Sequence, residues 1–231
     1  MAGLKPWHAA PQGNDMTART LLPHDLLWLA DPQAFAGANA LPAWATVEWL
    51  ARAPLVVRRD RLDGARIPVG LRGTTRAQRH AAWLPDTQVA RVVTPGMIAR
   101  QARWRDHPRR SELPVLAALA RVAPLLDDAQ VNWGVTGGAG FTLASGIDVL
   151  HAGSDLDLLV TATVPLATGA ERALAALLDA TEVRIDIQVS TPFGAFALRE
   201  RARTGGRVLL KTAYGPVMSE DPWHPRNCGT P

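Results

Sequence analysis

Two strand-length apolar runs, LDLLV at 156–160 and VRIDIQV at 183–189, stand either side of one amphipathic stretch, and this strand, helix, strand order narrows the folds open to the chain more than any other feature. In the second run Val183, Ile185, Ile187 and Val189 alternate with Arg184, Asp186 and Gln188, as on a half-buried strand with one polar face. In the first, Leu156, Leu158 and Val160 alternate with Asp157 and Leu159. The intervening TGAERALAALLDA carries an apolar stripe at Ala173, Leu174, Leu177 and Leu178, and Thr168 and Glu171 have capping-box spacing. Downstream, Phe196 to Arg203 predicts a short helix stopped by Gly205-Gly206, and RVLLKTA a further strand carrying Lys211 and Thr212.

The polar residues on these strands suggest chemistry. Asp155 and Asp157, one residue apart, point the same way from a strand and can hold a divalent metal, while the upstream pair Gly137 and Gly138 would let backbone amides approach phosphate oxygens. With 15 aspartates in the chain, roughly one D-x-D is expected by chance, so the weight comes from its place at the start of a buried strand. If the two strands pair, Asp186 joins the cluster as a third carboxylate and candidate metal ligand. Its competing role is an ion pair with an arginine such as Arg184. Lys211, one of two lysines beside Lys5, is a candidate for neutralising polyphosphate charge. His151 could act as a base or make an ordinary loop hydrogen bond. Oxygen ligands favour Mg2+, since one cysteine, Cys228, and scattered histidines offer no zinc set.

The glycine pair, the D-x-D and the later strand aspartate resemble the nucleotidyltransferase superfamily related to DNA polymerase beta. More closely, LLPHDLLWL, PLVVRRD, IPVGLRGTTRAQRHAAWL, WGVTGGAGFTLASG and LHAGSDLDLLV resemble the phosphoribosyl-dephospho-coenzyme A transferases of malonate decarboxylase, its holo-acyl-carrier-protein synthases, from about Met16 to near the C-terminus. The resemblance implies transfer of phosphoribosyl-dephospho-CoA from 2'-(5''-triphosphoribosyl)-3'-dephospho-CoA to a serine of the malonate decarboxylase acyl carrier protein, with release of pyrophosphate. It carries the catalytic acids to Asp155 and Asp157 and the phosphate loop to Gly137 and Gly138. The 16 residues between Gly138 and Asp155 exceed the usual superfamily spacing, so the connection must be extended.

Composition frames these expectations. A content of 47% hydrophobic residues suffices for a packed core in one large or two modest domains. No apolar run approaches the roughly 20 residues of a membrane span, and the N-terminus lacks the apolar core of a signal peptide. With one cysteine, a cytoplasmic protein without internal disulfide is expected. Between Arg52 and Arg110 there are 14 arginines and four acids, net +10, whereas residues 120–190 hold three arginines and nine acids, net −6.

The expected class is α/β, or α+β: a flexible leader at 1–15, with Met16 as an alternative start, an arginine-rich α+β accessory domain at 16–110, and a nucleotidyltransferase-like domain at 111–231 with a small mixed sheet and flanking helices. Within the accessory part PLVVRR and VARVVTP predict strands and Thr75 to Trp83 a helix, while Glu112 to Asp128 predicts a helix capped by Ser111. Arg72 and Arg76, with Arg58, Arg59 and Arg79, are candidates to engage donor phosphates or an acidic carrier protein. Trp133 is the tryptophan placed nearest the site. Two other functions stay open: nucleotidyl transfer to RNA or another protein, and a noncatalytic adaptor for an acidic partner. No RNA-binding sequence pattern is evident, which argues against nucleic acid as partner.

Overall fold

Parity of side-chain direction along each strand decides which residues enter which core, and the chain builds two cores. A computed structural model describes residues 20–61 and 63–225. The leader, Lys5, Met16 and Cys228 lie outside the described residues. One compact unit takes the residues through Thr94 together with Phe141–Val149, and the other takes Pro95–Gly140 and the residues from Leu150 onward. The segment Pro95–Arg110, placed in the accessory domain from sequence, therefore clusters with the second unit.

In the first unit, an antiparallel sheet runs in the order β4-β3-β2-β1-β5, from strands β1 (Leu26–Leu29), β2 (Leu55–Val57), β3 (Arg66–Arg72), β4 (Arg79–Pro85) and β5 (Val89–Val93). Helices α1 (Pro32–Ala38) and α2 (Val47–Arg52) begin where Asp31 and Thr46 accept hydrogen bonds from Ala34 N and Trp49 N, satisfying amides the first turn leaves open. Leu27, Phe35, Leu50, Leu55, Val69 and Leu84 form the core of this unit. The strands expected at PLVVRR and VARVVTP are β2 and β5. The helix expected over Thr75–Trp83 is instead the turn and second strand of the β3–β4 hairpin, with Arg72 opposite Arg79 and Ile67 opposite Leu84. The physical reason is that Ala82 and Leu84 are buried at a period of two, which overrides the helix propensity of the turn residues.

In the second unit, helices α3 (Pro95–Gln101), α4 (Pro114–Asp128), α5 (Gly137–Ser145), α6 (Thr168–Leu177) and α7 (Leu198–Thr204) accompany a mixed sheet ordered β11-β10-β9-β8-β7-β6, with the later part of α5 belonging to the first unit. Its strands are β6 (Asn132–Val135), β7 (Leu156–Thr161), β8 (Ile185–Thr191), β9 (Gly194–Ala197), β10 (Val208–Thr212) and β11 (Gly215–Ser219). Among the described residues only β7 and β8 pair in parallel, joined by α6, the minimal strand-helix-strand crossover. Leu156, Leu158 and Val160 of β7, with Ile185, Ile187 and Val189 of β8, are buried on the sheet face toward which α4 presents Leu116, Leu119 and Leu126. Each such leucine contributes about 1.5–3 kcal/mol by leaving water.

Three helix starts differ from expectation. α4 begins at Pro114, not Glu112, because proline's fixed φ suits the first helical position, and Leu113, not Ser111, is the cap residue. α6 has no side-chain cap, since Ala167, not Thr168, is the cap residue, and Glu171 pairs with Arg201 at 2.8 Å instead of folding back on the helix start. The predicted helix from Phe196 starts later: Phe196 is the strand residue opposite Val189, and α7 follows it, ending at Gly205 with φ 73°. Among the described residues no helix is long and apolar enough to cross a membrane.

Candidate functional site

The parallel register sets Asp157 directly opposite Asp186. Both lie on the sheet face away from the leucines just named, half-buried, and Asp155 is exposed immediately before β7. Adjacent strands stand about 4.8 Å apart, and like charges facing at that spacing repel unless something offsets them. Arg184, two residues before Asp186 on the same face, supplies part of the offset: its Nε lies 3.1 Å from Asp186 Oδ2 and its Nη2 donates to Oδ1 at 3.2 Å. Asp186 thus has the ion pair that competes with metal ligation. Among the described residues no three His, Cys, Asp or Glu side chains stand together as a metal-binding group.

Asp157 is shaped from the other side by the turn between β6 and α5. The backbone continues the ladder for one residue, Thr136 N donating to Asp157 O at 3.0 Å, and then turns through Gly137 at φ 60°. A Cβ on Gly137 would fall 1.9 Å from Asp157 Oδ2, so only glycine leaves room for that carboxylate, quite apart from the left-handed backbone. Gly137 is exposed and Gly138 partly so, and they open α5, whose unpaired amides carry the positive end of the helix dipole. A carboxylate against a helix start with exposed amides suits a polyphosphate bridged to the acid by a cation.

Lys211 stands apart from the acids. Lys211 is exposed on β10, in the row Thr161, Ser190, Ala195, Lys211. Three strand spacings and four residues separate it from Asp157, roughly 14 Å across the sheet and 13 Å along it, beyond a lysine's reach. Arg72 and Arg76 belong to the first unit. Arg72 ends β3 with its guanidinium 5.3 Å from the Phe141 ring, and Arg76 is exposed in the β3–β4 turn. His151 accepts from Gly153 N at 3.2 Å in an exposed turn, the ordinary loop role. Trp133 faces the helix-covered side, where its indole donates to Asp127 at 2.8 Å. Sequence reasoning named Arg184 only as a partner for Asp186; the i, i+2 spacing on one strand face was the signal for it.

The profile of the phosphoribosyl-dephospho-CoA transferase MdcG N-terminal domain matches residues 22–95, and that of its C-terminal domain matches residues 101–222. The chain is 47% identical over 202 residues to a phosphoribosyl-dephospho-CoA transferase of Klebsiella pneumoniae (strain 342), covering 87% of this chain and 96% of that protein. It is 45% identical over 201 residues to one from Pseudomonas putida (strain GB-1), covering 87% and 94%. A third, from Pseudomonas syringae pv. tomato (strain ATCC BAA-871 / DC3000), is 43% identical over 210 residues, covering 90% and 96%. No solved structure matches. Because both profiles and these near-full-length identities coincide over the described strands, the chain belongs to the phosphoribosyl-dephospho-CoA transferase family.

Proposed function

We propose that this chain transfers the phosphoribosyl-dephospho-CoA group from 2'-(5''-triphosphoribosyl)-3'-dephospho-CoA to a serine of the malonate decarboxylase acyl carrier protein. The observation that carries the reading is the seat of Asp157 against Gly137 at the start of α5, in a chain of this transferase family. The serine oxygen bonds to the phosphorus on the donor's ribose, the bond from that phosphorus to the pyrophosphate oxygen breaks, and the serine proton leaves to water.

The donor set suits magnesium, because that ion is commonly held by one or two carboxylates with water and substrate phosphate oxygens completing its shell, so the engagement of Asp186 by Arg184 does not disqualify the site. Asp155 and Asp157 would hold it, and when bound it would lower the hydroxyl's proton affinity and offset charge on the departing pyrophosphate. The amides at Gly137 and Gly138 orient the donor's phosphates by hydrogen bonds that cost no reorganisation during reaction. Arg184 keeps Asp186 from repelling Asp157 before the donor arrives.

The test is incubation of the protein with labelled donor, apo-carrier protein and magnesium, followed by intact mass measurement. A mass gain matching phosphoribosyl-dephospho-CoA is expected, and an unchanged carrier would reject the reading. Replacing Asp157 by Asn should lower kcat about 10²–10³-fold with the unfolding midpoint retained, a loss typical of removing one preorganised charge contact. Near-normal turnover would remove Asp157 from the mechanism.

A further inference from the structure

A polar cleft lies within the second unit, where α3, the 3-10 turn Arg103–Asp106, α4 and the start of β6 meet. Its volume is about 370 Å³, within the range of small-molecule sites, and Arg100, Trp104, Arg105, Asp127, Asn132 and Trp133 line it. The lining is rich in donors. Arg100 and Arg105 are exposed, and neither guanidinium has an ion pair or hydrogen-bond partner among the described residues. Trp104 is 1% exposed, yet its indole N–H meets no acceptor among the described residues. A buried donor without a partner costs about 1–3 kcal/mol, and this indole N–H, closed to solvent, makes the wall of the cleft polar without itself being open to a ligand. The one acid in the lining, Asp127, already accepts the Trp133 indole N–H at 2.8 Å.

We propose that this cleft binds a diphosphate group, and, resting on the transferase reading above, that the diphosphate is the one joining pantetheine to adenosine in the donor. Two exposed guanidinium forks suit clustered phosphate oxygens better than a single carboxylate. The cleft lies at the edge strand β6 of the sheet that carries Asp157. Asn132 pairs with Thr161, which stands four residues, roughly 13 Å, along β7 from Asp157. In the donor, two ribose rings separate that diphosphate from the phosphorus under attack.

The shared chemistry admits a second source, the pyrophosphate product, and separate titrations distinguish them. The full-length protein is titrated calorimetrically with 3'-dephospho-CoA and, in parallel, with inorganic pyrophosphate. Dephospho-CoA should bind, and the double variant Arg100→Ala/Arg105→Ala should weaken it about tenfold or more. Unchanged affinity in that variant, or binding of pyrophosphate alone at these arginines, would overturn the assignment. Asp157→Asn should leave dephospho-CoA affinity as in the unaltered protein. In the transfer assay the double variant should raise KM for the donor while keeping kcat, and an unchanged KM would count against the cleft. Because the titrations need no turnover, an inactive protein that binds dephospho-CoA through Arg100 and Arg105 would refute the transfer reading and leave the subsite standing.

Discussion

At Gly137 a single hydrogen in place of a methyl group decides whether the Asp157 carboxylate can occupy its seat. Replacement by alanine should cost about 1–2 kcal/mol from the left-handed backbone. The added Cβ must also displace Asp157, which it would approach to 1.9 Å. We predict that Gly137→Ala loses far more transfer activity than its unfolding midpoint explains; activity falling only in step with stability would show that the carboxylate's position is not critical. Spacing alone put Asp155 and Asp157 on one side of a strand. The contact between Gly137 and Asp157 was not legible, because it joins residues 20 apart through a turn whose direction depends on φ at one glycine. Arg184 and Asp186 illustrate the reverse case: two residues on one strand face were bound to be neighbours, and their ion pair follows from local geometry.

At the scale of elements, two junctions carry testable consequences. Gly134 of β6 is where α3 meets the sheet, and a Cβ there would lie 2.3 Å from the Pro95 carbonyl carbon. Backbone cannot yield as a side chain tip would, so Gly134→Ala should destabilise by about 1–3 kcal/mol in denaturant unfolding, and a smaller loss would mean that α3 shifts freely. After β11, the Asp221 carboxylate accepts from Trp223 N at 2.9 Å and from His224 N at 3.2 Å, closing the turn that buries Trp223 against Phe196, where its indole donates to Ala162 O. The Trp223 amide first, and then the hydrogen bonds and charge of His224, hold this carboxyl below the usual range. A lowered folded-state value means the stabilisation is present above the unfolded value of about 3.9 and disappears as pH falls through the folded one. Asp221→Asn should therefore lose stability at neutral pH and show a shallower fall in melting temperature toward about pH 3 than the parent. Parallel pH profiles would dismiss the role of this turn. The same scale explains the misread hairpin: TTRAQRHAAW has residues that tolerate a helix, and only pairing with β3 commits Arg79–Pro85 to a strand.

Across the whole molecule the arginine excess at 52–110, net +10, and the acidic stretch at 120–190, net −6, do not map onto separate units, because the break after Thr94 leaves Arg100–Arg110 in the second. For an acidic carrier protein attracted by those arginines, KM for the carrier should rise several-fold as ionic strength increases toward about 1 M, where the Debye length shrinks to about 3 Å. A salt-independent KM would place docking on apolar contacts. Periodicity along the chain by itself determined the second unit's strand, helix, strand core, the strands PLVVRR and VARVVTP, and the acidic pair at a strand start, since these depend on neighbours a few residues away. Only the tertiary structure decided that β7 and β8 run parallel with Asp157 facing Asp186, that Gly137 cradles the carboxylate, and that Trp104 lines a cleft with two unengaged arginines. Those outcomes depend on strand register and on burial summed over residues far apart in the chain, and a local pattern holds no record of either.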